Sequence, residues 1–242
     1  MTARVLGIDV SGPGGGAALV HPDGVLRETI PPAIRRGRNL VPGIARMLEK
    51  AGLGPADLDL IACGVGPGSF TGIRIGIATA ATLAYAARVP VLDVGSLHGI
   101  AANAPTDAER VLVALDARRG HVFAGLFHRG VLQGAYENVE PAALAADLAA
   151  DTWVLGDARD AFPDVLGRFP GTADAPVRPD VVAHLGAARF RAGRALAAGA
   201  APAALPASVR PRDPPYDVAA RARRARRTHA LVLHLPYKGT AA

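Results

Sequence analysis

Apolar and polar stretches alternate at the start of the chain and predict three short strands. Strand-like segments cover Val5–Asp9, residues 17–21 and residues 25–29. Asp23-Gly24, between the last two segments, is typical of a two-residue hairpin turn. We therefore predict that the chain opens with an antiparallel three-stranded meander.

A helical pattern follows the meander. Leu40, Ile44 and Leu48 recur every four residues, which places them on one face of a helix over residues 39–51. Asn39 and Ser96 are favourable N-cap residues, and they are predicted to begin this helix and a later one. The spacing predicts an amphipathic helix that buries one apolar stripe against a neighbour.

A glycine-rich loop is the most distinctive feature of the chain. Its sequence over residues 64–76, G-V-G-P-G-S-F-T-G-I-R-I-G, joins an apolar strand to a long helix at Phe70–Ala87. Within that helix Gly72, Gly76 and Ala80 share one face. Because small side chains let another backbone approach closely, we expect this face to pack against a partner chain.

The second half of the chain repeats the opening meander. V-L-V-A-L-D at residues 111–116 resembles V-L-G-I-D at Val5–Asp9, and a histidine follows the final aspartate at the same separation in both copies. A constant offset favours duplication, although short apolar strings also recur by chance. We predict an α/β fold of two lobes, each a mixed sheet flanked by helices. The first lobe is predicted at residues 1–105, a degenerate second lobe at 106–200, and a Pro/Ala-rich linker with a basic tail at 201–242.

Composition and charge say more about the cellular compartment of the protein than about its function. The formal net charge is +6, and five arginines lie between residues 221 and 227. Solubility explains such a charge, and an acidic partner such as RNA is the functional alternative. The single cysteine, Cys63, excludes an internal disulfide and suits a reducing compartment. No N-terminal signal is visible, and Arg74 and Arg88 bracket the most apolar helix, so we expect a cytoplasmic protein that does not enter a membrane.

Two aspartates, each at the end of the first strand of a lobe, are candidates for chemistry. A carboxylate at such a position either holds magnesium through water or caps the following turn by accepting backbone N–H groups. For Asp9 both interpretations stay open. For Asp116 the capping role is favoured, because Arg118 and Arg119 are close enough in sequence to pair with it.

The glycine-rich loop is also a candidate anion site. Gly66, Gly68 and Ser69 precede a helix, whose first N–H groups attract anions, and Asp9 and Ser11 complete a candidate nucleotide site. The chain lacks a P-loop motif, so partner packing is the stronger interpretation. No histidine pair and no C-x-x-C has metal-binding spacing, and Ser69 lacks the G-x-S-x-G elbow. We therefore predict neither a metal site nor a catalytic residue.

Three motifs make the chain resemble the TsaB family of bacterial tRNA-modification proteins. They are L-G-I-D-V-S from Leu6, the glycine-rich loop from Gly64, and L-D-A-R-R-G-H-V-F from Leu115. The loop motif is highly specific, and the three together span most of residues 5–127. The resemblance implies an actin-like, duplicated two-lobe fold, which groups the chain with acetate kinase, sugar kinases and Hsp70.

The resemblance implies a scaffold rather than an enzyme. TsaB proteins pair with and activate their paralogue TsaD, and a third subunit, the ATPase TsaE, joins them. The complex forms N6-threonylcarbamoyladenosine beside the anticodon of tRNAs that read ANN codons. By resemblance, this chain has no cofactor of its own, ATP or ADP is allowed at the interface between subunits, and the chain forms a homodimer when TsaD is absent.

The family pairs through the two helices predicted here at residues 39–51 and Phe70–Ala87. The positions carried over to that interface are Leu40, Ile44, Leu48, Gly72, Ile73, Gly76, Ile77 and Ala80. We accordingly expect Gly76→Leu to hold the packed helices apart and to prevent pairing with TsaD.

Departures from the family pattern keep other functions open. Val10 stands where the family usually has threonine, and a valine cannot donate a hydrogen bond to a phosphate. The arginine-rich tail is either a solvated segment or a contact for tRNA phosphates. The main alternative function is an independent nucleotide-dependent kinase of small molecules, which tight binding of Mg-ATP by the isolated chain would favour. A peptidase and a separate RNA-binding module rank below both.

Overall fold

The structure, a computed structural model, describes residues 3–30 and 36–197. The predicted linker and arginine-rich tail at residues 201–242 lie outside the described residues. The described part contains eleven strands in two sheets and seven α-helices. This mixed architecture confirms the predicted α/β class.

The first sheet has five strands in the order β3-β2-β1-β4-β5. Strand β1 pairs antiparallel with β2 and parallel with β4. The strands are β1 Val5–Asp9, β2 Gly16–His21, β3 Gly24–Thr29, β4 Leu60–Gly64 and β5 Val91–Val94. The antiparallel pairing of β1, β2 and β3 confirms the predicted meander.

The second sheet repeats this topology in the order β11-β10-β6-β7-β8, and β9 also pairs with β7. Strand β6 pairs antiparallel with β7 and parallel with β10, as β1 does with β2 and β4. The strands are β6 Arg110–Arg118, β7 His121–His128, β8 Val131–Leu132, β9 Glu137–Val139, β10 Trp153–Leu155 and β11 Gly171–Thr172. The shared strand order confirms the predicted duplication.

Helices cover both faces of the first sheet. Helices α1 and α2 pack on one face, and α7 packs on the other. Helix α1 begins three residues before Asn39, so the prediction of Asn39 as its N-cap was wrong. The helices are α1 Arg36–Lys50, α2 Phe70–Ala87, α3 Leu97–Ala101, α4 Pro141–Ala146, α5 Ala158–Ala161, α6 Pro163–Leu166 and α7 Pro179–Ala197, with a 3-10 turn at Pro55–Asp57.

Helix α7 approaches the first sheet closely because glycine stands at the contacts. A Cβ atom on Gly7 of β1 would lie 2.2 Å from the carbonyl oxygen of Pro179. A Cβ atom on Gly186 of α7 would lie 2.5 Å from the Cβ of Ala62 in β4. Although α7 falls within the residues 106–200 predicted as the second lobe, it therefore completes the core of the first sheet.

An ion cluster fixes the start of α7. Arg27 of β3 and Arg178 each donate through Nη2 to Oδ2 of the buried Asp180, at 2.9 and 2.7 Å. Burial works to raise the pKa of Asp180, but the hydrogen bonds and charges of the two arginines outweigh it and hold the pKa well below its usual range. The cluster thus joins the last described helix to an edge strand of the first sheet.

Candidate partner interface and glycine-rich loop

Hydrogen bonds from two neighbouring turns hold the glycine-rich loop in place. The N–H of Gly66 donates to Ser96 Oγ at 2.9 Å, and the N–H of Ser69 donates to the carbonyl oxygen of Ser11 at 2.6 Å. The N–H of Gly72 donates to Ser69 Oγ at 3.3 Å, which makes Ser69 the N-cap of α2. Because these three donors are used inside the fold, they do not form an anion site.

Two glycines let the loop lie directly over the end of β1. A Cβ atom on Gly64 would lie 2.2 Å from Oδ2 of Asp9. Gly68 has a φ of +152°, and a Cβ atom there would lie 2.7 Å from the carbonyl oxygen of Ser11. At these two positions, the close neighbour of the glycines is the chain's own first strand and the turn that follows it.

Asp9 is sealed beneath this loop. Its side chain is completely buried, Oδ1 accepts the N–H of Ser11 at 2.9 Å, and burial raises the pKa of the carboxyl. Within the described residues, Asp9 Oδ2 and Ser11 Oγ have no hydrogen-bond partner. The geometry supports turn capping by Asp9. The predicted nucleotide site comprised Asp9, Ser11, Gly66, Gly68 and Ser69, and no ligand reaches its carboxylate in this conformation.

Asp116 occupies the matching position in the second sheet and also caps a turn. Its Oδ1 accepts the N–H of Arg118 at 2.7 Å, and its Oδ2 pairs with Arg118 Nη1 at 2.8 Å. The favoured capping role of Asp116 and its expected pairing with Arg118 are therefore confirmed. Asp9 and Asp116 thus accept the N–H two residues ahead in both halves of the duplication.

The stripes that predicted a partner surface face the chain's own first sheet. Six of the eight predicted interface positions are buried there, namely Leu40, Ile44, Leu48, Gly72, Gly76 and Ala80. A Cβ atom on Gly76 would lie 3.3 Å from Val10 Cγ2 and 3.9 Å from Ile8 Cγ2. This assignment is corrected, because a partner cannot reach these positions while the core is formed. Gly76→Leu would disturb that core rather than block a surface.

The opposite side of α2 is apolar and uncovered. Phe70 and Tyr85 are 60% and 84% exposed, and Val41 on the neighbouring helix α1 is 49% exposed. We use the name α1–α2 outer face for the exposed and half-buried positions along this side of α2 together with the exposed Val41 of α1; the set is Val41, Phe70, Arg74, Ile77, Ala78, Ala81 and Tyr85. Arg74 stacks over the ring of Phe70 at 5.4 Å. Of the eight predicted interface residues, Ile77 belongs to this surface, and Ile73 is also only half-buried.

Helix α2 is unusually apolar for a helix that is so little buried. Among the described helices it alone has the length and composition of a membrane span, with a mean hydropathy of 1.2. One such helix is weak evidence for a membrane, and one line along α2, from Gly72 to Ala84, already packs against the sheet. Its exposed side therefore combines an apolar composition with access to solvent.

Sequence reasoning missed the backbone conformation of the turn between β6 and β7. Arg118 and Arg119 both adopt the left-handed conformation that favours glycine, with φ of +68° and +56°. The available signal was the duplication itself, because the matching turn between β1 and β2 is rich in glycine. No propensity rule predicts two arginines in this conformation.

Comparisons with known proteins decide the family. The TsaB protein of Bacillus subtilis is 35% identical over 139 residues, which cover 57% of this chain and 59% of that protein. YeaZ from Pseudomonas aeruginosa superposes with a TM-score of 0.69 at 30% identity, covering 79% of this chain and 94% of the YeaZ chain. The chain belongs to the TsaB family.

Other matches agree with membership of the TsaB family. The TsaB protein of Escherichia coli is 39% identical over 94 residues, which cover 38% of this chain and 41% of that protein. A family model described as TsaD, tRNA N6-adenosine threonylcarbamoyltransferase, matches residues 33–144. The chain thus spans between two fifths and three fifths of these curated TsaB relatives. The match to YeaZ and the repeated sheet topology confirm the duplicated actin-like fold.

Proposed function

We propose that this chain is a non-catalytic subunit in the biosynthesis of threonylcarbamoyladenosine on tRNAs that read ANN codons, and that it acts by pairing with and activating a TsaD subunit. Family membership supports the pathway, since the Bacillus subtilis and Escherichia coli relatives are named for it. The observation that carries the pairing is the uncovered α1–α2 outer face.

The composition of this face suits a helical partner. Phe70 and Tyr85 are large aromatic side chains at opposite ends of α2, and such residues commonly anchor interfaces. Ala78 and Ala81 lie between them and allow a second helix to approach. Because contiguous exposed apolar surface is uncommon on isolated domains, it favours a binding role.

The polar groups of the described residues support a scaffold better than the kinase alternative. Asp9 is sealed, and Asp116 pairs with Arg118 while it caps a turn. Three N–H donors of the glycine-rich loop are used internally. Tight binding of Mg-ATP by the isolated chain would instead favour the kinase.

Several parts of the proposal follow from family membership alone. They are the association with TsaE, contact with tRNA through the complex, ATP or ADP at the interface between subunits, a homodimer in the absence of TsaD, and a cytoplasmic location without membrane contact.

A charge placed on the outer face tests the pairing. We expect Tyr85→Glu to weaken binding to the TsaD of the same organism at least tenfold, because the carboxylate loses its water on association. The matched control is Val131→Glu on β8, where the native side chain is 64% exposed. Strand β8 belongs to the second sheet, whereas α2 packs on the first. Isothermal titration and size measurement of the mixture give the affinities. The proposal is refuted if the wild-type chain does not pair with TsaD, or if Tyr85→Glu pairs as tightly as Val131→Glu.

A further inference from the structure

The turn between β6 and β7 keeps two arginines where glycine would fit more easily. Arg118, Arg119 and Gly120 have φ of +68°, +56° and +79° in succession. For a residue with a Cβ atom this conformation brings the side chain close to the backbone and is unfavourable. Such strain persists only where the surrounding structure holds it, and it often accompanies a functional side chain.

The matching turn in the first half is built differently. It contains Gly12 and Gly14, and the rest of the fold covers it, since a Cβ atom on Gly14 would lie 2.4 Å from Pro176 Cβ. By contrast, a Cβ atom on Gly120 would meet nothing within 4 Å among the described residues. One copy of the turn is therefore packed and uncharged, while the other is open and carries arginine.

Two carboxylates hold the open turn from its base. Asp116 accepts the Arg118 N–H at 2.7 Å, and Asp157 Oδ1 accepts the Asp116 N–H at 2.8 Å. Arg118 also donates through Nη1 to Asp116, but its side chain is 83% exposed and a guanidinium has five N–H donors. Most of its donors therefore face water, next to the exposed Arg119.

We propose that the β6–β7 turn, through Arg118 and Arg119, contacts phosphate groups of RNA. The inference rests on the proposed function, which supplies tRNA as the RNA. Guanidinium groups bind phosphate in a bidentate manner, and an exposed hairpin tip reaches a nucleic-acid backbone without a cleft. Residues 198–242 hold eight of the 27 basic and two of the 21 acidic residues, so residues 1–197 have no net charge. This part of the chain therefore offers RNA no general positive charge, and the β6–β7 turn offers two adjacent exposed arginines.

Single glycine substitutions in the full-length chain test the turn. We expect Arg118→Gly and Arg119→Gly each to make the fall of log affinity with log salt concentration shallower by about 0.7–0.9, which corresponds to about a five- to eightfold loss of affinity at 0.1 M salt. The probe is a fluorescent tRNA transcript, measured by anisotropy with the chain alone and with TsaD added. Both variants should unfold at the same urea concentration as wild type or a higher one, because glycine relieves the strained φ.

Arg129→Gly is the matched control. Arg129 is also left-handed, with a φ of +47°, and it also forms an exposed ion pair, with Glu109, but it lies at the other end of β7. We expect its removal to leave the salt slope unchanged.

Three results would overturn the inference. The first is that both turn variants keep the salt dependence of wild type. The second is that Arg129→Gly loses as much tRNA affinity as the turn variants. The third is that the wild-type chain does not bind tRNA with or without TsaD. Pairing with TsaD is measured on the same samples. Intact pairing with unaltered RNA binding rejects only the role of the turn, whereas a wild-type chain that does not pair rejects the proposed function.

Discussion

Helix α2 offers a direct test of which of its faces lies inside the fold. Gly76→Leu adds four carbons where a Cβ atom alone would already lie 3.3 Å from Val10 Cγ2 and 3.9 Å from both Cys63 Sγ and Ile8 Cγ2. The added side chain has to displace β1, β4 or α2 itself. The prediction is a loss of folding stability, with any loss of partner binding as its consequence.

The magnitude follows from two opposing effects. Overpacking of a well-filled core costs about 3 kcal/mol, while leucine favours a helix over glycine by about 0.8 kcal/mol. We therefore expect Gly76→Leu to lower the free energy of unfolding by about 2 kcal/mol. For Gly76→Ala the gain in helix propensity and the tight contact with Val10 nearly cancel, so stability should stay within about 0.5 kcal/mol of wild type.

Urea unfolding followed by circular dichroism measures these differences. Ala78→Leu is the matched control, because it adds similar bulk to the exposed side of the same helix and should change stability by less than about 0.5 kcal/mol. If Gly76→Leu unfolds at the wild-type urea concentration and yet no longer binds TsaD, the inner face of α2 is open to a partner and the packing argued here is wrong.

Two buried carboxyls predict opposite dependences of stability on pH. Burial raises the pKa of Asp9, so its contribution to folding stability is fully present below about pH 4 and is lost as the pH rises through the folded-state pKa. Asp9→Asn should remove this loss. The prediction is contradicted if urea unfolding shows that the stability of Asp9→Asn depends on pH as steeply as that of wild type. Two arginines hold the pKa of Asp180 low, so its contribution is present above about pH 4 and is lost in acid. Asp180→Asn should cost about 2 kcal/mol at pH 7, since Arg27 and Arg178 stay partly hydrated, and less at pH 3. Wild-type stability of this variant at pH 7 would show that the cluster contributes nothing.

Local patterns were enough to predict the strands and helices with a strong period. The meander from Val5–Asp9 onward and the helix Phe70–Ala87 follow from alternation, helical spacing and turn residues, all of which act over a few positions. The duplication was visible for the same reason, since both copies keep the apolar run that ends in aspartate.

The neighbour of a helix face was not predictable from the same pattern. Gly72 and Gly76 show that something approaches α2 closely, but a sheet of the same chain and a helix of a partner both require small residues there. Only the tertiary structure shows that β1 and β4 fill this space. The outer face, with Phe70 and Tyr85 spaced over four turns, is too sparse to be recognised as a stripe.

Long-range contacts account for the other differences. Ser96 was expected to cap α3 through its side chain, but its Oγ accepts the N–H of Gly66, thirty residues away in sequence. Strands β9 and β11 contain three and two residues, which is too short for an alternating pattern to show. Placing α7 on the first sheet requires knowledge of which surface remains open after the second sheet has formed.

The position of α7 has a consequence for synthesis on the ribosome. One face of the first sheet, with Val5, Leu60 and Ala62, is covered by a helix that ends at Ala197. At a translation rate of about 5–20 residues per second, that apolar face stays exposed for roughly 7 to 27 seconds after β4 has emerged. A nascent chain in this interval is a natural client for chaperones. A message that stops before α7 would yield a product that aggregates rather than a smaller folded lobe.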